Sequence, residues 1–214
     1  MESILVTLAA LLPIVNPLGA APIFLAMSAD LPVEGRRHLA TVVARNAFLL
    51  LAAAMLIGSY VLEFFGISLP IVRVAGGLVV VGAGWRLLHA GHMDEQPQAR
   101  VVDAWERELA RRGFYPLTFP LTVGPGSISI AITLGARDVS EPASRAMFVV
   151  TDLVGITIIA VTIYLSYRFA SRLIASLGET GTNVFLRLSA FIMLCVGVAI
   201  FWGGVVGLVE PLLR

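Results

Sequence analysis

Two clusters of helix-breaking residues lie within apolar segments of this chain. They are Pro13-Ile14-Val15-Asn16-Pro17-Leu18-Gly19 and Pro120-Leu121-Thr122-Val123-Gly124-Pro125-Gly126-Ser127. A proline inside a helix removes a backbone hydrogen bond and clashes with the preceding turn, at a cost of about 3 kcal/mol or more. We therefore expect both helices to be unwound at these clusters, which frees backbone amide and carbonyl groups for binding.

The chemistry of such a break is the binding of small ions. A helix that restarts after Pro17 or Pro125 would present the free amides of its first turn; these are the amides of Leu18, Gly19 and Ala20, and of Gly126, Ser127 and Ile128. Helix N-termini bind anions through such amides and through the positive end of the helix dipole. Carbonyl groups at the end of the preceding half-helix can accept from an ammonium group, so a site with both suits a zwitterion.

The side chains around the breaks are small and neutral, which favours a short neutral amino acid as the ligand. The predicted substrate-binding residues are Asn16, Pro17, Leu18, Gly19, Ala20, Thr122, Gly124, Pro125, Gly126, Ser127 and Ser129. A single proline would be read as an ordinary kink, because proline and glycine are common in membrane helices. Two breaks at matching depth in two similar halves favour a site.

The elements that carry these breaks are predicted to be membrane helices. The chain of 214 residues is 58% hydrophobic and 14% charged, and its mean hydropathy is +0.91. About 20 apolar residues span a bilayer. Six segments meet that length: Ile4–Met27, Ala40–Leu62, Leu69–Leu88, Leu117–Ala136, Met147–Tyr167 and Val184–Val209.

Three spans in each half imply that the second half enters the membrane from the opposite side. The predicted fold is all-α and polytopic, with two inverted three-helix repeats and discontinuous first and fourth helices, as in many secondary transporters. The repeats cover residues 1–90 and 114–214, joined by a polar linker at 91–113, and together form one membrane domain. Within the linker, Val101–Leu109 suits a short amphipathic surface helix and equally a disordered segment. Because unpaired backbone groups are tolerated in a membrane only inside protein or beside a wet cavity, the two breaks should share one polar cavity.

The orientation follows from the distribution of arginine, since cytoplasmic loops carry an excess of positive charge. One side collects Arg36, Arg37, Arg86, Arg100, Arg107, Arg111, Arg112, Arg168 and Arg172, and the other has Arg73, Arg137, Arg145 and Arg214. The first side should be cytoplasmic, which places both termini outside the cytoplasm.

Asp152 is the acidic residue that lies well inside a predicted span. A carboxylate within the membrane is costly and marks a functional hypothesis, so Asp152 is the candidate for taking and releasing a coupled proton. The alternative is that Asp152 caps or pairs near the membrane surface, since it lies early in its span.

Other functional classes fit less well. An intramembrane enzyme needs two acids, an H-E-x-x-H motif or a serine with His or Lys in the spans, and the spans offer one Asp, no His and no Lys. We expect no metal, no cofactor, no nucleotide-binding motif and no nucleic-acid partner. The expected partners are the bilayer and a small solute; an oligomer is compatible with the sequence. A channel, or an exporter of another small polar solute, is the alternative, because a pore can use the same broken-helix chemistry.

Several motifs, in the right order and over nearly the whole chain, resemble those of the MarC family of bacterial and archaeal inner-membrane proteins. They are Asn16-Pro17-Leu18-Gly19-Ala20-Ala21-Pro22-Ile23-Phe24-Leu25, Phe65–Pro70 with Arg73–Leu78, Tyr115–Pro120 with Gly124–Ile128, and Arg187–Gly197. The resemblance implies six spans within the LysE-type exporter superfamily. It also implies a substrate class, because members similar to the SnatA transporters carry glycine and alanine, with proton coupling proposed. Carried over, Asn16–Gly19 and Thr122–Ser127 are the substrate-binding segments; the family often has Asp where this chain has Asn16.

Overall fold

A computed structural model of the protein describes residues 2–89, 113–136 and 142–210, all in helices and short connections. The helices are α1 (Glu2–Val15), α2 (Pro17–Met27), α3 (Val33–Phe64), α4 (Leu69–His89), α5 (Gly113–Thr122), α6 (Pro125–Gly135), α7 (Pro142–Arg168) and α8 (Ala170–Val209). The predicted all-α polytopic class is confirmed. The linker predicted at 91–113, including the Val101–Leu109 segment, lies outside the described residues except for Gly113.

Five spans within the described residues are long and apolar enough to cross a membrane, and there are six if the bent α5–α6 pair crosses as one. The structure alters two predicted bounds. The second span belongs to a helix that begins at Val33 rather than Ala40, because its polar first turns continue the helix beyond the apolar stretch. The last span is the end of a helix that begins at Ala170, with a break at Gly178, where φ is 66°, a conformation that glycine adopts readily.

The two breaks differ in shape. Ile4–Met27 forms one 24-residue span that is interrupted only at Asn16. By contrast, α5 and α6 meet at an angle of 73°. The α5 helix has wide turns of the π type and contains extended backbone at Tyr115 and Phe119, each of which precedes a cis proline. The predicted discontinuity of the first and fourth helices is therefore present in both, with a much larger bend in the second.

The broken helices of each half pack against the other half. The α1–α2 pair contacts α7 and α8, and α6 contacts α3 and α4. The remaining large contacts join α3 to α7 and α4 to α8. The contacts made by the helices of one half are therefore matched by contacts of the corresponding helices of the other half, as two related repeats would require. The inverted relation between the repeats stays a prediction.

Helices α4 and α8 are antiparallel and touch backbone to backbone through glycines. A Cβ atom added to Gly84 would lie 2.9 Å from the Leu194 backbone nitrogen, and one added to Gly204 would lie 2.7 Å from that of Val74. Gly77 and Gly197 meet the opposite backbone in the same way. Glycine allows this approach because it has no side chain.

The protein core lies where α1, α2, α3 and α7 meet, around side chains such as Phe24, Leu39, Leu51 and Ile159 that are fully buried. Many other large apolar side chains point outward, among them Ile57 at 56% exposure and Trp202 at 63%. An apolar surface around an apolar core is the pattern expected when hydrocarbon replaces water as the solvent.

Candidate functional site

Asn16 forms a hydrogen bond with each of the two half-helices that meet at the first break. Its backbone adopts the left-handed conformation, with φ 44° and ψ 59°, which asparagine tolerates better than most residues. Its amide donates to the Leu12 carbonyl at 2.9 Å, which ends α1. Its side-chain Oδ1 then accepts from the Gly19 amide at 3.1 Å, which begins α2. The break is thus held by a single residue that caps two half-helices.

The structure corrects the expectation that all three amides after Pro17 are free. The Gly19 amide is taken by Asn16 Oδ1, and the Ala20 amide donates to the Asn16 carbonyl at 3.0 Å. A Cβ atom at Gly19 would overlap the Asn16 side chain, so the cap requires glycine at this position. The polar group that the first break offers to its surroundings is therefore mainly the side-chain amide of Asn16, and less the backbone amides of a helix N-terminus.

The second break has no side-chain cap. Gly124 precedes α6 with φ −91° and ψ 175° and carries no side chain that could accept from the first turn, and Pro125 follows at the first helical position. The Ser127 hydroxyl donates to the Gly124 carbonyl at 2.9 Å, and the Ile128 amide donates to the same carbonyl at 3.1 Å. The expectation that the Ile128 amide is free is therefore wrong, because it makes the first helical bond of α6.

Both breaks line one cavity of about 270 Å³. Its walls are formed by Ile14, Val15, Asn16, Gly19, Ala20, Ile23, Val79, Val80, Ala83, Arg86, Pro120, Leu121, Thr122, Gly124, Pro125, Gly126 and Met193. The cavity is more apolar than the sequence predicts. Among the described residues that line it, those with polar side chains are Asn16, Thr122 and Arg86.

The predicted binding residues divide into two groups. Those that line the cavity are Asn16, Gly19, Ala20, Thr122, Gly124, Pro125 and Gly126. Those that do not are Pro17, Leu18, Ser127 and Ser129. Leu18 points outward at 43% exposure, and the Ser129 hydroxyl donates to the Val72 carbonyl of α4 at 3.1 Å. Substrate binding by the lining residues stays a prediction.

Sequence reasoning missed the wall of the cavity that α4 provides. Val79, Val80, Ala83 and Arg86 line the cavity, and their spacing places them on one face of the helix. Arg86 falls within the predicted span Leu69–Leu88 and lies inside α4, which continues to His89; the sequence counts it toward the charge of the cytoplasmic side and not among the binding residues. The helical spacing was visible in the sequence, whereas the identity of the neighbour that this face meets was not.

A second layer of contacts joins the two breaks through α7. The Tyr167 hydroxyl lies 2.7 Å from the Thr122 hydroxyl, while the Tyr167 ring stacks on Phe24 of α2 with ring centroids 4.4 Å apart. Thr122 donates its own proton to the Leu117 carbonyl at 2.6 Å. Because a threonine hydroxyl has one proton, Tyr167 is the donor to Thr122.

Asp152 lies apart from the cavity, at the contact between α1 and α7. It is 2% exposed, and its Oδ1 accepts a hydrogen bond from the buried Thr7 hydroxyl at 2.6 Å. Asp152 is not one of the lining residues. The structure thus places this carboxylate inside the protein with a polar partner, and its role in proton coupling stays a prediction.

Comparison with known proteins identifies the family. The family model described as "MarC family integral membrane protein" matches residues 1–209. The curated proteins named "UPF0056 inner membrane protein MarC" from Escherichia coli strains K12 and SMS-3-5 are each 29% identical to this chain, over 95% of it and 94% of the relative. No solved structure matches the chain significantly. With a match over nearly its whole length, this chain belongs to the MarC family of integral membrane proteins.

Proposed function

We propose that this protein is a secondary transporter that moves small neutral amino acids of the glycine and alanine class across the bacterial inner membrane. The mechanism would be alternating access, with a proton as the candidate coupling ion. The observation that carries the proposal is the shared cavity, because the breaks at Asn16 and at Thr122–Gly126 line the same space. Transporters with repeated halves bind their substrates at discontinuous helices of this kind.

The size of the cavity supports a small solute. At about 270 Å³ it falls just below the range of about 300–1,000 Å³ that is typical of drug-sized ligands. The walls contributed by Ala20, Val80 and Ala83 offer methyl groups to a short side chain. A bulky side chain would have no room, and a cationic side chain would have no matching acid among the described lining residues.

The polar groups support an amino-acid backbone as the recognised part. The bare N-terminus of α6 at Gly126 favours a carboxylate through its amides and dipole. The Asn16 side chain supplies an amide, and carbonyl groups near Ile14 and Val15 suit an ammonium group. Since the lining residues that the structure describes include no acid, the ammonium group would be bound by neutral oxygens.

The orientation and the energy source are part of the proposal. The arginine bias favours both termini outside the cytoplasm, and the family relatives are named inner membrane proteins. Asp152 is the proposed coupling residue because it is a buried carboxylate on a helix that contacts the α1–α2 pair.

The test is uptake of labelled glycine and alanine into proteoliposomes that contain the purified protein, with and without an imposed pH gradient. A transporter gives saturable uptake that distinguishes the two enantiomers of alanine, and the gradient increases it. Flux that neither saturates nor discriminates would favour the channel alternative. Absence of amino-acid flux under all conditions would reject the proposed substrate class.

A matched pair of variants ties the uptake to the cavity. Ala83→Leu fills the cavity wall, whereas Ala75→Leu makes the same change on the exposed side of α4. We expect Ala83→Leu to lose at least ten-fold in uptake and Ala75→Leu to behave as the parent protein. Equal uptake by both variants would contradict the assignment of this cavity.

A further inference from the structure

Arg86 holds a distinctive position in the cavity. It lies in the last turn of α4, on the helix face that carries Val79, Val80 and Ala83 into the cavity. Its side chain is exposed and also lines the cavity. A lining residue at the end of a helix with an exposed side chain marks the mouth of the cavity, where a solute enters or leaves.

Among the described residues that line the cavity, Arg86 is the one that carries a charge. Among the other arginines in the described part of the chain, Arg37 pairs with Glu34 at 2.8 Å, and Arg168 contacts the Tyr164 hydroxyl. Among residues 2–89, 113–136 and 142–210, no acidic side chain forms an ion pair with Arg86. Within this part of the chain, the positive charge at the mouth is not neutralised by a carboxylate.

We propose that Arg86 binds the carboxylate of the solute at the cavity mouth, before the carboxylate reaches the α6 N-terminus at Gly126, and makes the cavity select carboxylates over solutes that carry only an ammonium group. This inference rests on the proposed function, which identifies the cavity as the substrate site. It adds Arg86 to that site as a residue that determines selectivity. A guanidinium matches a carboxylate with two parallel hydrogen bonds. Its charge also repels a cation, and none of the described lining residues is an acid that would offset that repulsion.

The shape of the cavity narrows the ligand to a short organic carboxylate. The walls beyond Arg86 are apolar, with Val79, Val80 and Met193, and they suit a hydrocarbon group of a few carbons. An inorganic phosphate or sulfate would need several further donors around its remaining oxygens. A carboxylate can leave its charged end at Arg86 and bury its alkyl group.

The experiment measures binding to the purified full-length protein in detergent, by calorimetry or by ligand-induced thermal stabilisation. Three probes of similar size distinguish recognition of the carboxylate from recognition of the ammonium group. Alanine carries both of these groups, propionate carries only the carboxylate, and ethylammonium carries only the ammonium group. We expect alanine and propionate to bind, and ethylammonium to bind at least ten-fold more weakly. The variants are Arg86→Gln, Arg86→Lys and, as the control for loss of one exposed arginine, Arg172→Gln.

Arg86→Gln should weaken the binding of propionate and alanine about ten-fold, as expected for the loss of a charge-assisted hydrogen bond in a partly exposed site. Arg86→Lys should retain part of the affinity because it keeps the charge without the planar fork. Arg172→Gln should bind as the parent protein does. Because Arg86 is exposed, its substitution leaves the core untouched, and the elution profile in size-exclusion chromatography verifies this.

The outcomes separate this inference from the proposed function. Equal propionate affinity in Arg86→Gln and the parent protein, or no carboxylate binding by the parent protein, would overturn the role of Arg86. Unchanged KM for alanine uptake in Arg86→Gln would also overturn it while leaving the transporter proposal intact. Propionate binding that depends on Arg86, together with no amino-acid uptake, would support Arg86 and reject the amino-acid substrate.

Discussion

The hydroxyl of Tyr167 donates a hydrogen bond of 2.7 Å to the hydroxyl of Thr122. This hydrogen bond links α7 to the second break. The same tyrosine ring stacks on Phe24 of α2. Tyr167 therefore contacts both broken spans from a helix that belongs to neither, and it supports a cavity-lining threonine from behind.

Replacing Tyr167 with Phe should keep the stack on Phe24 and remove the hydrogen bond to Thr122. We expect a loss of about 1 kcal/mol in unfolding free energy, the usual net worth of one hydrogen bond, and a several-fold lower uptake rate because Thr122 is less well positioned. Tyr164→Phe is the control, since it removes a hydroxyl from the same helix that contacts Arg168 instead. A control variant impaired as strongly as Tyr167→Phe would argue against a specific role of Tyr167.

The stability of Asn16 variants should depend on how well the new residue adopts the left-handed backbone conformation and caps α2. Asp keeps the oxygen that accepts from Gly19, Gly keeps only the backbone freedom, and Ala keeps neither. We expect Asn16→Ala to lower the free energy of unfolding by about 2 kcal/mol, because the helix cap is lost and alanine is strained in the left-handed conformation. Asn16→Gly should lose less. Chemical denaturation in detergent gives the ranking, and an alanine variant as stable as the parent protein would disprove it.

The glycines between α4 and α8 should be sensitive to a single added methyl group. Gly77→Ala and Gly204→Ala place a Cβ against the opposite backbone, and such overpacking typically costs about 1–3 kcal/mol. Gly82 and Gly203 have open space at the same position, so their alanine variants should be neutral or slightly more stable, because alanine favours a helix. Thermal unfolding of the four variants tests this contrast, and equal effects would show that the helices are not in tight contact.

Asp152→Asn should abolish the stimulation of uptake by a pH gradient and leave exchange of amino acids across the membrane. An asparagine oxygen can still accept from Thr7, so the contact between α1 and α7 should survive. Thr7→Val is the control, because it removes the hydroxyl and leaves the acid in place. Uptake by Asp152→Asn that still responds to the gradient would eliminate Asp152 as the coupling residue.

Much of this fold is predictable from the sequence, because hydropathy reports the spans and prolines report the breaks. The bounds of α3 were missed since its N-terminal turns are polar, and hydropathy detects apolar residues rather than helices. The break at Asn16 was located correctly, yet the capture of the Gly19 amide by the Asn16 side chain depends on a local geometry that residue types do not reveal. Arg86 lies near the end of a predicted span, and its sequence position indicates only positive charge at one membrane side, whereas its place in the cavity wall depends on the packing of α4.

The backbone contact between α4 and α8 has a mechanical consequence. With glycines on both helices set against the opposite main chain, sliding by one residue would drive the Cβ atoms of neighbouring residues into that chain. We expect these two helices to move as one rigid body, one from each half of the protein. The hinges of any opening and closing motion would then lie in the flanking broken spans, and the bare junction before α6 would bend more easily than the junction that Asn16 closes.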